Sequence, residues 1–270
     1  MNNLKYFLSI LACTLFLTGC EKRMDAKTIC ESYPAVCTGL NSDGWCKNER
    51  AVVIEKEYAI KDQQKESDLY HALMGWRAYR SCIELAAQVE MKRLKIRQSQ
   101  RVEGYIRAET RVIELEQATK NANLPELLWY HWSHFSDKNA LDKYVSLESR
   151  GVLNTPELLL NLAGYYSAKD QEKAINLLLN ALSLYEQEED IDPQIFQQLT
   201  TLTYQVEDYR HSYVWALVTQ KLEAAKVDFK RLDKASRMTQ KDKLKAELIA
   251  DTIVKNLQED TYVAQRRYRF

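Results

Sequence analysis

Three of the four prolines in this 270-residue chain mark the same local event, and that repetition restricts the fold more than any other feature. Leu124-Pro125-Glu126-Leu127-Leu128, Thr155-Pro156-Glu157-Leu158-Leu159 and Asp192-Pro193-Gln194-Ile195-Phe196 each open an apolar-periodic run. Proline suits the first helical position, where its missing N–H leaves no hydrogen bond unmade. Thr155 and Asp192 stand before it as N-caps. About 11–14 helix-forming residues follow each opening, then a short polar turn and a second run. The turns are Ser136-Asp137-Lys138, Ala168-Lys169-Asp170-Gln171 and Glu207-Asp208, and Gly151 ends the first of the second helices. The chain holds seven glycines, is rich in Ala, Leu, Glu, Lys, Gln and Arg, and has no useful period-two run, so an all-α fold is expected.

Small residues recur on the second helices: Ala140, Ala174 34 residues later, and Ser212 a further 38 on. A period in this range signals a solenoid of helical hairpins. The pattern resembles tetratricopeptide and Sel1-like repeats over residues 124–222. In the third unit Phe196, Leu199, Thr200, Ser212, Ala216 and Thr219 fall on those families' large and small packing positions. In the second unit Leu162, Ala163, Ala174, Leu178 and Ala181 do so, with a turn about one residue short. The resemblance implies a TPR-like α-solenoid over residues 121–222, with a concave face lined by first helices. In the third unit its groove-facing positions are Gln194, Gln197, Thr201, Tyr204 and Gln205.

Residues 47–120 read as long helices. Apolar side chains recur at Leu69, Leu73, Trp76, Ile83, Ala87 and Leu94, then at Tyr105, Ala108, Val112 and Leu115. A break is expected near Gln98 to Gly104, and Arg93, Lys95, Arg97, Arg101, Glu103 and Arg107 are expected on a solvated face. Residues 66–120 could also pair two copies of the chain as a coiled coil. Residues 223–270 read as capping helices, with Leu244, Leu248, Ala250, Ile253, Val254 and Leu257 packing on the last hairpin. The basic, aromatic end Arg266-Arg267-Tyr268-Arg269-Phe270 reads as frayed.

The amino terminus gives an address. Lys5 precedes an apolar run from Tyr6 to Leu17, the layout of a secretory signal and too short to span a bilayer as a helix. Leu17-Thr18-Gly19-Cys20 resembles the lipobox of bacterial lipoproteins. That resemblance implies a signal peptide over residues 1–19, cleavage before Cys20 and acylation of Cys20, with Glu21 favouring the outer membrane. The expected localisation is a lipid anchor in the envelope, facing the periplasm. Without residues 1–19 the chain has 37 basic and 38 acidic residues. This near-zero balance argues against a nucleic-acid partner.

Four cysteines remain behind Cys20: Cys30, Cys37, Cys46 and Cys82. An even set in an exported chain reads as two disulfides, with three pairings possible. Their spacings lack the close pairs that zinc sites favour. If residues 47–62 and 66 onward form an antiparallel hairpin turning near Gln64, position 46 falls opposite position 82, and Cys30 and Cys37 would close a small loop. Residues 20–46 are then an anchor and disulfide loop segment ahead of a disulfide-pinned helical hairpin. The pattern from Cys30-Glu31-Ser32-Tyr33-Pro34-Ala35-Val36-Cys37 through Asp43-Gly44-Trp45-Cys46 resembles an uncharacterised family of bacterial lipoproteins.

Motifs for chemistry are scarce. His131 and His134 share a helix face, but no third ligand can be named for a metal. No glycine-rich phosphate loop or nucleophile elbow occurs. Glu148-Ser149 resembles the catalytic pair of lytic transglycosylases, but Arg150-Gly151 follow at once as a helix stop and that family's Gly-Leu-Met-Gln motif is absent. No catalytic residue, metal or cofactor is expected. The expected function is a non-enzymatic scaffold or adaptor for an envelope protein or peptide; the rival reading is a cell-wall (peptidoglycan) enzyme or its accessory factor.

Overall fold

A computed structural model describes residues 24–90, 95–186 and 190–270. Leu94 and the expected signal peptide and lipidated Cys20 lie outside the described residues. Among the described residues the chain is all-α, with no strand, and no helix is long and apolar enough to cross a membrane. It divides after Ala118 into two compact units.

The first unit begins with two short helices, α1 (Ala26–Ser32) and α2 (Pro34–Cys37). A hairpin of α3 (Lys47–Ile60) and α4 (Glu66–Ala87) follows, then α5 (Lys95–Thr119). Two disulfides pin this unit. Cys30–Cys37 closes the α1–α2 loop, and Cys46–Cys82 ties the start of α3 to the far end of α4, with Cα atoms 5.8 Å apart. Leu73, Trp76, Tyr79 and Ile83 form the buried stripe of α4, and Ala108, Val112 and Leu115 that of α5.

Two expectations fail in α5, for one reason. The helix runs unbroken through Gly104, and the interruption lies earlier, after Ala87. Gly104 is there because the helix presses against Tyr79: a Cβ would meet the Tyr79 hydroxyl at 2.6 Å. Arg101, one turn away on the same face, is buried rather than solvated. Its Nη2 lies 2.7 Å from Asp43 Oδ2 and its Nη1 donates to Ala86 O at 3.2 Å. Asn41 and the Trp45 amide also donate to Asp43. Burial pushes the Asp43 carboxyl up, but these donors outweigh it and hold it below its ordinary value. Arg107 is half-buried over the Trp76 ring and donates to Val36 O at 3.1 Å.

The second unit is a stack of helical hairpins in a solenoid-like arrangement. The hairpins are α6 (Pro125–Phe135) with α7 (Lys138–Ser146), α8 (Pro156–Tyr166) with α9 (Gln171–Leu182), and α10 (Pro193–Gln205) with α11 (Tyr209–Lys221). Each proline occupies the first turn, and Thr155 and Asp192 cap their helices as expected. The second helices share a device too: Asp137, Asp170 and Asp208 each cap one by accepting backbone N–H groups. Gly151 takes a left-handed φ of 65° after a 3₁₀ turn over Glu148–Arg150. Ala140, Ala174 and Ser212 are buried where hairpins close. Ser212 Oγ donates to Thr200 O at 2.8 Å, so the small residue also fastens α11 to α10.

Two further helices, α12 (Phe229–Ser236) and α13 (Gln240–Gln258), complete the unit, with α13 packed on α11. Its buried stripe is Ala246, Ala250 and Ile253, while Leu244 and Leu248 are 58 % and 67 % exposed. The expected core role of those two leucines is therefore corrected. Small residues let α13 approach α11 closely, and the leucines fall on another face.

Candidate functional site

The face of α10 turned away from α11 is built by a three-and-four spacing. Gln194, Gln197, Thr201 and Gln205 are exposed along it and Tyr204 is half-buried beside them. The opposite side of the helix carries Ile195, Phe196, Leu199 and Leu202 into the core, which fixes its rotation. Two open cavities flank the stripe. One, about 650 Å³, lies between the end of α8 and α10, lined by Gly164, Ser167, Gln171, Gln194, Gln198 and Gln205 among others. The other, about 450 Å³, lies toward the loop entering α12 and is lined by Thr200, Tyr204, Lys226, Asp228 and Arg231 among others. Both share Gln197, Thr201 and Gln205, so they form one groove with α10 as its floor.

The structure thus brings together all five groove positions named from the sequence. Sequence reasoning missed Gln171, Gln198, Lys226 and Arg231. Gln171 opens a second helix and Gln198 lies off the stripe. Lys226 and Arg231 come from a connection that no repeat register covers.

The groove offers hydrogen bonds more than charge. Gln171 Nε2 donates to Gln205 Oε1 at 3.1 Å, which joins neighbouring hairpins at the rim. Gln197 Nε2 donates to Ala224 O at 3.4 Å. The Gln198 Oε1 atom is buried and accepts no hydrogen bond among the described residues. An acceptor in that condition is costly unless something donates to it. At the other end Arg231 lies over the Tyr204 ring, 4.6 Å from its centroid, and its Nε donates to the Tyr204 hydroxyl at 3.3 Å. That hydrogen bond holds the guanidinium above its ordinary pKa. Amides and hydroxyls pair with the N–H and C=O groups of an extended peptide, and a stacked arginine accepts an acidic group.

The residues weighed for chemistry are committed elsewhere. The Glu148 carboxylate accepts from the Tyr166 hydroxyl at 2.9 Å and from Lys173 Nζ at 2.8 Å. His131 is buried, with its Nε2 3.0 Å from Thr119 Oγ1, and His134 stacks on Tyr130. Among the described residues one cluster has metal-ligand types, Cys46, Glu49 and Cys82, and its two sulfurs are bonded to each other.

A family model described as protein of unknown function (DUF2989) matches residues 17–217. The match covers most of the chain, and the chain belongs to that family. It includes the four bridged cysteines and the α10 stripe, and it stops before α12 and α13. No curated protein and no solved structure matches the chain.

Proposed function

We propose that this member of the DUF2989 family is a lipid-anchored envelope protein that holds a partner protein or peptide in the α10 groove. The reading joins two parts. The lipobox-like Leu17-Thr18-Gly19-Cys20 supplies the tether, with acyl chains on Cys20 and the molecule facing the periplasm from the outer membrane. The tetratricopeptide-like register supplies the groove. A tethered receptor acts by effective concentration: it confines its partner to one surface without new contacts.

The observation that carries the binding role is the continuous amide and hydroxyl lining of the groove, from Gln171 and Gln194 to Tyr204 and Arg231. This lining suits main-chain recognition, and among the described residues it holds one carboxylate, Asp228, where glycoside cleavage needs two as acid and base.

Two experiments test the two parts. A photo-crosslinking residue at Thr201 should trap a discrete product in the envelope fraction, whereas the same residue at exposed Asn180 should not. Equal products at both positions would remove the groove from the account. Cys20→Ser should move the protein out of the membrane fraction; unchanged sedimentation would remove the tether. Release of soluble fragments from purified peptidoglycan would instead establish the enzyme reading.

A further inference from the structure

Residues 266–270, expected to fray, belong to a segment, 261–270, that is docked along the second unit in an extended form. Its side chains alternate: Tyr262, Ala264, Arg266, Tyr268 and Phe270 are turned in, while Thr261, Val263, Gln265, Arg267 and Arg269 are exposed. Tyr262, Ala264, Tyr268 and Phe270 pack against the hydrophobic core. Period-two alternation is the habit of an extended strand, here laid on helices.

Four kinds of contact hold it. Arg266 donates to both Glu172 carboxylate oxygens at 3.0 Å and to Asp208 Oδ2 at 3.0 Å, bridging α9 and the cap of α11. The Tyr268 main-chain N–H donates to His211 Nε2 at 2.8 Å, while His211 Nδ1 lies 2.7 Å from Asp208 Oδ1. Phe270 meets His211 edge-on and lies under the Arg210 guanidinium. Tyr262 and Tyr268 line a cavity of about 350 Å³ with Leu248, Ile253 and Asn256 of α13. A main-chain hydrogen bond to His211, a two-carboxylate seat for arginine and aromatic seats at alternate positions are the elements of a receptor for an extended peptide. The segment enters through a turn at Asp260, whose φ is 55°, and leaves the α10 groove untouched.

We infer that this surface of α9, α11 and α13 is a second peptide-binding site, closed in cis by residues 261–270. Its outside ligand is an unpaired extended segment of another chain with aromatic side chains at alternate positions and an arginine among them. The chain's own segment defines that chemistry by occupying the site. Tethering gives it a high effective concentration, so a competitor must displace it. The inference does not depend on the α10 groove.

The test uses the full-length chain with a protease site built into the 259–260 turn. After cutting and gel filtration, folding is checked by circular dichroism. A labelled peptide of sequence 261–270 is then added, beside one with only the outward residues changed and one carrying Tyr262→Ser, Arg266→Glu and Tyr268→Ser. The first two should bind the cut protein and the third should not. Uncut protein should bind at least tenfold more weakly. His211→Ala should weaken the peptide, while Thr201→Trp in the α10 groove should leave it unchanged. Should cutting unfold the protein, uncut Arg266→Glu replaces it and should bind the first peptide at least threefold better than wild type. Equal binding by cut and uncut protein, no binding by folded cut protein, or no gain in Arg266→Glu overturns the inference.

Discussion

The Tyr79 hydroxyl, hydrogen-bonded to Asn41 38 residues before it, occupies the space a side chain at Gly104 would need. A Cβ on Gly104 would lie 2.6 Å from the Tyr79 oxygen and 3.5 Å from the Asn41 nitrogen. That hydroxyl donates to Asn41 Oδ1 at 2.9 Å and accepts from Asn41 N at 3.3 Å, and Tyr79 is fully buried. It cannot retreat without leaving polar atoms unpaired. In an exposed helix Gly→Ala stabilises by about 1 kcal/mol. Here overpacking wins, and Gly104→Ala should cost about 1–3 kcal/mol. The control is Gly164→Ala, where nothing lies within 4 Å of the added carbon; it should gain about 0.5–1 kcal/mol. Urea unfolding of both variants checks the opposite signs.

The buried Arg101–Asp43 pair makes a second prediction in the same unit. Both side chains are almost fully buried, at 3 % and 5 % exposure. Arg101→Met leaves a charged carboxylate with only Asn41 and one backbone amide as donors. Removing one partner of such a pair costs about 3–5 kcal/mol. Adding Asp43→Asn should recover part of that loss by removing the stranded charge. A double variant no more stable than Arg101→Met in urea unfolding would mean the loss comes from packing.

The two disulfides should differ in worth, because they close loops of different length. Cys46–Cys82 spans 36 residues and Cys30–Cys37 spans seven. On the chain-entropy account, removing the longer bridge costs about 4 kcal/mol and the shorter about 2–3. Replacing each pair by serine and measuring the urea midpoint checks the order. Greater loss from the short loop would show that enthalpy or residual unfolded structure outweighs chain entropy.

Local signals were legible in the sequence; of the long-range ones, the Cys46–Cys82 pairing was, because a hairpin turning near Gln64 sets those two positions opposite each other. The prolines at positions 125, 156 and 193, their caps and Gly151 state backbone geometry within a few residues of themselves, so the hairpins could be placed. The α10 stripe was legible through the tetratricopeptide-like register, which implied Phe196 and Leu199 at packing positions and Gln197 and Thr201 on the groove face. Gly104 misled because a glycine reads alike whether it breaks a helix or lets one approach a tyrosine. Arg101 misled because its partner, Asp43, lies 58 residues away in a turn. Residues 266–270 misled because their seats, Glu172, Asp208 and His211, belong to two different hairpins.

Stability of the second unit should fall on acidification between about pH 4 and pH 2. Burial raises the Asp208 carboxyl, but hydrogen bonds from His211 and Arg266 outweigh it and bring the group down from an ordinary 3.8 to about 2. A carboxylate depressed in the folded state contributes stability fully present above its unfolded value and lost as pH falls through the folded one. The drop corresponds to roughly 2 kcal/mol. Asp208→Asn keeps a capping oxygen for α11 but should flatten this limb and weaken the seat of Arg266. Unfolding measured from pH 5 to pH 2 gives the comparison, and an unaltered limb in Asp208→Asn would assign it to other carboxylates.

Thr201 separates binding from folding. It is exposed at the middle of the α10 stripe, shared by both cavities, and its hydroxyl bonds back to Gln197 O at 2.9 Å within its own helix. Among the described residues no other side chain is hydrogen-bonded to it, so Thr201→Trp should change stability by less than about 0.5 kcal/mol. The same indole would fill the groove between Gln197 and Gln205 and exclude an extended chain. The expected result is an unchanged melting temperature, with loss of the envelope product trapped by a crosslinker at Gln194. Retention of that product at full yield would show that the partner does not lie along α10.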